Sequence, residues 1–306
     1  MKKDFLSIDD IKKEEIFDVI DLAIQLKKKP LGNFFNGKIF CLLFEKPSTR
    51  TRISFESGIK QLNGDTIYLD ATTTQISRGE TVEDTARVID RYVNVLIARV
   101  FSHKTLQIMS KYMNANVINA LSDLEHPCQI IADLLTIKER FKDFESLKLV
   151  YIGDGNNVCN SLLLGCAKVG MDVAVACPKG YEPNEKIVEL ARNYTKLSKS
   201  RITIGTEPKE IVKDANIIYN DTFISMGNEK EKAKRLSVFV PKYQVNNRLL
   251  KWASSDVFYM HCLPAHRGEE VTPEVIDGPR SIIFDQAENR MHAQKALLMK
   301  MLGKDI

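Results

Sequence analysis

The sequence predicts an α/β protein of two doubly wound parallel-sheet domains bridged by helices. Three observations predict it. Short apolar runs alternate with amphipathic stretches from residue 38 to 121, and the alternation restarts at residue 147. Many of these runs are continuously apolar, as strands covered on both faces are, rather than apolar on every second residue. The 306 residues are enough for two domains of ordinary size.

Residues 9–28 form the first helix, with Ile11, Ile16, Phe17, Ile20, Ala23 and Leu26 at helical spacing and Asp9 or Asp10 as its cap. KIFCLLF (38–44) is a doubly buried strand. TRISFESGIKQLN (51–63) is a helix stopped by Gly64, TIYLD (66–70) a strand, and TVEDTARVIDRY (81–92) a helix. NVLIARV (94–100), KTLQIMSKYM (104–113) and NVINAL (116–121) continue as strand, helix, strand. A long helix from Pro127 to about residue 141 bridges to the second series.

That series opens with the strand LKLVYIGD (147–154) and a helix closed by Gly170. DVAVACP (172–178) is a strand, NEKIVELARNYTKL (184–197) a helix, RITIG (201–205) a strand, EPKEIVKD (207–214) a helix and ANIIYND (215–221) a strand. VFYMHCL (257–263) and SIIFD (281–285) read as further strands, and NRMHAQKALLMKMLG (289–303) as the last helix. Alternation of this kind implies parallel sheets. The expected domains are 1–135, with the helix at 288–306 packing back on it, and 136–287.

A hydrophobic fraction of 44% and a charged fraction of 27% are those of a globular protein in water. A net charge of +4 suits an acidic small molecule and is too weak to suggest nucleic acid. The N-terminus has no apolar h-region and no run reaches about 18 apolar residues, so neither a signal peptide nor a membrane span is expected. Six scattered cysteines, at 41, 128, 159, 166, 177 and 262, form neither a disulfide framework nor a Cys-x-x-Cys pair. Reduced thiols and a cytoplasmic setting are the expectation.

Ligands of open α/β sheets bind beyond the carboxyl ends of strands, so the polar residues there carry the functional reading. FEKPSTRTRISFE (44–56) places Ser48, Thr49, Arg50, Thr51 and Arg52 between a strand and a helix. Ser48 or Thr49 can cap that helix, whose first N–H groups then face an anion, and Arg50 adds a planar set of donors. Arg99 interrupts an apolar strand and needs a paired anion. HPCQ brings His126 and Gln129 to a helix start. GDGNN offers Asn156 and Asn157. Its glycines resemble a dinucleotide fingerprint, but Val158 stands in the third glycine position and no acid ends the next strand, so no nicotinamide cofactor is expected. DTFISMG supplies Asp221, Ser225 and Met226, a carboxylate and donors suited to a zwitterionic amino acid. His261 and His266 flank CLPA without a further ligand at metal spacing, so no metal is expected.

In this order and spacing FEKPSTRTRISFE, HPCQ, GDGNN, DTFISMG, HCLPAHRGEE and ENRMHAQKALL resemble the aspartate/ornithine carbamoyltransferase family over nearly the whole chain. DTFISMG and HCLP point to its ornithine-using branch. Relatives acting on putrescine, acetylornithine or succinylornithine share the phosphate motifs, and a non-catalytic anion- or amino-acid-binding protein could share the scaffold. The resemblance implies transfer of the carbamoyl group of carbamoyl phosphate to the δ-amine of L-ornithine, without a cofactor. It implies that Ser48, Thr49, Arg50 and Thr51 bind phosphate. Arg99, His126 and Gln129 surround the carbamoyl group, and Cys262, Leu263 and Arg290 complete that site. Asn157, Asp221, Ser225 and Met226 hold ornithine. Arg99, His126 and Cys262 are the implied catalytic residues. Gln75, in TTTQISRGE, matches a loop that enters a neighbouring subunit's site, which implies a homotrimer with shared sites.

Overall fold

The computed structural model describes residues 1–224 and 229–305. Among these, one sheet contains β1 (Ile39–Phe44), β2 (Asp65–Asp70), β3 (Val95–Arg99) and β4 (Asn116–Leu121), in the order β2-β1-β3-β4. A second contains β5 (Lys148–Ile152), β6 (Asp172–Ala176), β7 (Ile202–Gly205), β8 (Ile217–Asn220) and β9 (Phe258–His261), in the order β7-β6-β5-β8-β9. Every strand pair is parallel. The chain divides into two compact units, one of Met1–Leu135 with the chain from Glu288 onward, the other of Thr136–Ala287.

Each unit has its own core. In the first, Cys41, Leu43, Leu96, Ala98 and Val117 from the sheet meet Ala86, Ile89, Leu106 and Met109 from the helices Val82–Ile89 and His103–Tyr112. In the second, Val150, Ile152, Ala174, Ile218 and Tyr259 meet Val212, Phe239, Leu249 and Val275. Burying each large apolar side chain stabilises by about 1.5–3 kcal/mol, which holds the sheets and so fixes where their strands end.

Both strand orders reverse in the middle. In the first sheet the chain passes from β1 outward to β2 and returns across to β3, so β1 and β3 are neighbours whose following segments leave in opposite directions. The second sheet does the same at β5 and β8. Such reversals open a crevice beyond the strand ends. The segments after β1 and β3 are the serine-threonine-arginine turn and the Arg99 strand end; those after β5 and β8 are GDGNN and Asp221.

Three elements differ from expectation. The first helix is split: Ser7 caps a 3-10 turn at Ile8–Asp10, accepting from Asp9 N–H at 2.9 Å, and the α-helix is Lys13–Lys28. The acids reach back instead of capping, Asp10 to the Ser7 N–H at 3.0 Å and Glu15 to the Lys12 N–H at 2.9 Å. The 281–285 strand is absent. Only Ser281 bridges β9, and from Ile283 the chain is already the final helix, Ile283–Met301. A short apolar run bounded by a turn does not distinguish a strand from a helix start. The helix after β7 is a single turn, Pro208–Ile211.

Candidate active site

In the first unit the turn after β1 leads into the helix Thr49–Gln61 with Ser48 as its cap. Ser48 is extended (φ −160°, ψ 106°), and its Oγ receives the Thr51 N–H at 3.4 Å. The N–H groups of a helix's first turn have no acceptor inside the helix, and with the macrodipole they favour an anion. Thr51 is fully buried. Its Oγ1 accepts from Ser48 Oγ at 3.0 Å and from Arg290 Nη2 at 2.8 Å. A hydroxyl has two lone pairs and one proton. With both lone pairs engaged, Thr51 has its proton to give.

The two guanidiniums of the turn part company. Arg52 pairs with Glu56 at 2.9 Å and lies 3.7 Å over the Tyr68 ring. Arg50 is half-buried and makes no ion pair or hydrogen bond through its side chain among the described residues. Thr49 is exposed at the helix start.

Phe44 and Arg99 are register partners at the ends of β1 and β3. The β3–β4 register shifts between Ala98 and Arg99, an irregularity that re-aims the strand end. Arg99 is buried, as are Arg290, His126 and Gln129. His126 sits on a loop held by the Ser122 N–H donating to Glu125 O at 2.9 Å. The Glu125 carboxylate in turn accepts from Ser7 Oγ and from the Ile8 N–H. Burial, then the charges of Arg290 and Arg99, push the His126 imidazolium form well below its ordinary range. His126 is therefore a neutral imidazole beside two guanidiniums. Gln129 donates its amide to Asp133 at 2.9 Å, and its Oε1 accepts nothing among the described residues.

Lys46 joins this group, although it was not among the expected site residues. Burial, then the Arg99 charge, lowers its ammonium pKa, and its Nζ lies 4.4 Å over the Phe101 ring. The signal was present: a lysine two residues after a buried strand and two residues before the helix cap. Gln75 stands in the 3-10 turn Gln75–Arg78, exposed, with no side-chain hydrogen bond to a described residue.

In the second unit β5 ends in Gly153 (φ 142°) and a turn whose Asn156 caps the helix Asn157–Val169. Asn156 Oδ1 accepts from the N–H of Val158 at 3.0 Å and of Cys159 at 3.1 Å. Its amide donates to Asp221 Oδ2 at 2.7 Å, across the β5/β8 reversal. Asp221 Oδ1 accepts from the Thr222 N–H at 2.8 Å and from Cys262 Sγ at 3.1 Å. Asp221 and Cys262 are thus joined. Asn157 follows Asn156 in sequence and is half-buried, its Oδ1 accepting the Val158 N–H at 2.9 Å. Leu263 has φ 59°, a conformation rare for a branched side chain. Its N–H donates to His261 Nδ1 at 2.8 Å. Ser225 and Met226 lie outside the described residues.

Two features had no clear sequence signal. Arg235 reads as part of a solvated charged run, yet it is buried, pairs with Asp154 and donates Nε–H to Phe223 O at 2.6 Å. Gly155 resembles a phosphate-cradling glycine, but a Cβ there would stand 2.2 Å from Pro183 N and 2.3 Å from Glu182 C. Close approach of its own chain, with the Gly155 N–H donating to Tyr181 O at 2.8 Å, explains the glycine. The expectation that no acid comes within metal spacing of the histidines also fails. The fold gathers Asp221, His261 and Cys262, and separately His266, Glu269 and Glu270.

A capped helix start with Arg99 and Arg290 buried in the same unit, and an Asn156–Asp221–Cys262 cluster in the other, suit a group transferase handling an anionic donor. The chain belongs to the aspartate/ornithine carbamoyltransferase family: residues 3–139 match its carbamoyl-P binding domain and residues 145–301 its Asp/Orn binding domain. It is 52% identical over 306 residues to the ornithine carbamoyltransferase of Methanosarcina acetivorans, covering 99% of this chain and 100% of that one. It is 49% identical to that of Bacillus subtilis, covering 99% and 94%. The solved structure of the Pyrococcus furiosus ornithine carbamoyltransferase superposes with a TM-score of 0.95 at 46% identity, covering 99% and 98%.

Proposed function

We propose that this protein transfers the carbamoyl group of carbamoyl phosphate to the δ-amine of L-ornithine, giving L-citrulline and phosphate. The observation that carries the reading is Thr51. Its hydroxyl accepts from Ser48 and Arg290, which leaves its proton to give, at the start of a helix that follows β1, whose last residue pairs in register with Arg99. The likeness of FEKPSTRTRISFE, HPCQ and ENRMHAQKALL to the family's motifs, and the match of residues 3–139 to its carbamoyl-P binding domain, support assigning Ser48, Thr49, Arg50 and Thr51 to the phosphate and Arg99, His126, Gln129 and Arg290 to the carbamoyl phosphate as a whole.

The chemistry follows from these groups. The amine lone pair attacks the carbamoyl carbon, the C=O electrons move onto oxygen, their return expels phosphate, and the proton that the attacking nitrogen sheds leaves with the phosphate. Negative charge builds on the carbonyl oxygen, where prearranged donors lower the barrier. Thr51 O–H, Arg99 and neutral His126 are the donors. A free alkylamine of this type is protonated below about pH 10.4, so it must lose a proton before attack. Asp221, with Cys262 and Asn156 bound to it, accepts from an ammonium and orients the amino acid. Phosphate is a good leaving group, so the step calls for no covalent intermediate. Binding two substrates in register supplies roughly 7–11 kcal/mol of the barrier.

The reading extends to a homotrimer in the cytoplasm. Gln75 is exposed on its own chain, which suits a residue that serves a neighbour's site. No helix among the described residues is long and apolar enough to cross a membrane. The test is stoichiometric: citrulline and phosphate should appear one for one and only with both substrates present. Phosphate release that ignores ornithine would contradict the proposal.

A further inference from the structure

We propose that His266, Glu269 and Glu270 form a binding site for one divalent ion of the zinc class, separate from the Asp221–Cys262 cluster. One ligand atom from each of the three lies within 4.8 Å of the others. His266 Nδ1 and Glu270 Oε2 are 3.7 Å apart. Bonds of about 2.0–2.2 Å to a tetrahedral ion put neighbouring ligands roughly 3.4 Å apart, so a small side-chain adjustment closes the set.

Both carboxylates are built to present one oxygen. Glu269 Oε1 pairs with Lys232 Nζ at 2.9 Å, and Glu270 Oε1 accepts the His266 backbone N–H. The second oxygens, Glu269 Oε2 and Glu270 Oε2, are buried and accept no hydrogen bond from any described residue. Glu270 is 0% exposed. A buried carboxylate oxygen without a donor calls for a cation or water. Behind it, His261 Nδ1 accepts the Leu263 N–H, which leaves that ring's proton on Nε2, 3.5 Å from Glu270 Oε1. Nε2 is buried and at that distance makes no hydrogen bond among the described residues, so a small shift of Glu270 onto an ion can bring it into the outer contact that orients metal ligands. The His266 side chain is 48% exposed, which gives an ion its entry. One imidazole and two carboxylates, with a fourth position open, suit zinc, cobalt or nickel.

Two other groups face the cluster. Lys232 tempers its charge, and Thr222 Oγ1 lies 3.2 Å from His266 Nδ1. Thr222 also donates its N–H to Asp221. A bound ion would draw His266 off Thr222, next to the residue proposed to hold the amine. If the proposed function holds, loading raises the KM for ornithine; ion uptake itself does not depend on that function.

The experiment strips the intact protein with a chelator and titrates it with Co²⁺ alone, by calorimetry and by visible absorption. Wild-type protein should take up one Co²⁺, with ligand-field bands and no near-ultraviolet thiolate band. Glu269→Gln, which keeps the shape of the side chain, and His266→Ala should each weaken uptake by roughly tenfold or more. Cys262→Ala should bind as wild type. Three results would overturn the site: no uptake by wild-type protein, unchanged uptake in both His266→Ala and Glu269→Gln, or uptake lost in Cys262→Ala together with a thiolate band. The last would place the ion on Asp221, His261 and Cys262. Wild-type melting of Glu269→Gln keeps its result interpretable if His266→Ala folds poorly.

Discussion

Arg290 Nη2 donates to Thr51 Oγ1 at 2.8 Å, joining residues 239 positions apart in one buried contact. This bond, with that from Ser48, engages both lone pairs of the Thr51 hydroxyl and leaves its proton for another acceptor. Thr51→Val keeps the shape and removes that proton. Losing a hydrogen bond to a charged group is worth about 1.5–3 kcal/mol, or roughly 10- to 150-fold. We expect kcat/KM for carbamoyl phosphate to fall by that factor while the ornithine KM stays within about twofold. Steady-state kinetics with each substrate varied in turn checks it; an unchanged kcat/KM for carbamoyl phosphate would remove Thr51 from the site.

Much of the fold was legible because its two periodicities are clean. Continuous apolar runs became β1, β3 and β5, and Gly170 closes its helix in the left-handed conformation (φ 89°). SIIFD failed where periodicity carries no information, at a run too short to separate strand from helix. The strand-end motifs marked Ser48, Arg99, His126 and Asp221. They could not say that Arg52 turns away to Glu56 and Tyr68 while Arg50 does not. Nor could they reveal Arg235 on Asp154, because contacts between distant segments leave no local pattern.

The pH behaviour of His126 has a definite sign. Its folded pKa is lowered, by burial first and then by Arg290 and Arg99. Unfolded histidine takes a proton below about pH 6.5. The unfolded state then binds more protons than the folded one, so stability falls as pH drops through that value. His126→Asn should flatten the dependence of unfolding free energy on pH between about 7 and 5. Urea melts at several pH values measure it; equal slopes in variant and wild type would contradict a buried neutral imidazole. In catalysis no His126 ionisation should appear at neutral pH, and kcat/KM for ornithine should rise with pH as the amine deprotonates.

Gly155→Ala tests the packing reading of GDGNN. A Cβ would meet Pro183 N at 2.2 Å and Glu182 C at 2.3 Å, both backbone atoms that cannot swing aside. Overpacking of this kind destabilises by about 1–3 kcal/mol. The denaturant midpoint should fall accordingly. Full stability would show that the segment moves away freely.

Subunit sharing is tested by complementation. Gln75→Ala and Arg99→Ala should each be nearly inactive. Mixed and reassembled as trimers, roughly a quarter of the sites would carry neither lesion under random association. Recovery toward that fraction is expected. An active monomer by light scattering would end the idea.

The central claim is the transfer of a carbamoyl group to ornithine, and a substrate panel reads it most directly. Carbamoyl phosphate would be supplied with ornithine, putrescine, N-acetylornithine or aspartate, and product formation measured for each. Putrescine lacks the α-carboxylate, and each polar group left unpaired in its complex would cost about 1–3 kcal/mol. Ornithine is predicted to show the highest kcat/KM, at least about tenfold above each of the others. Equal or better use of putrescine, N-acetylornithine or aspartate would contradict the account.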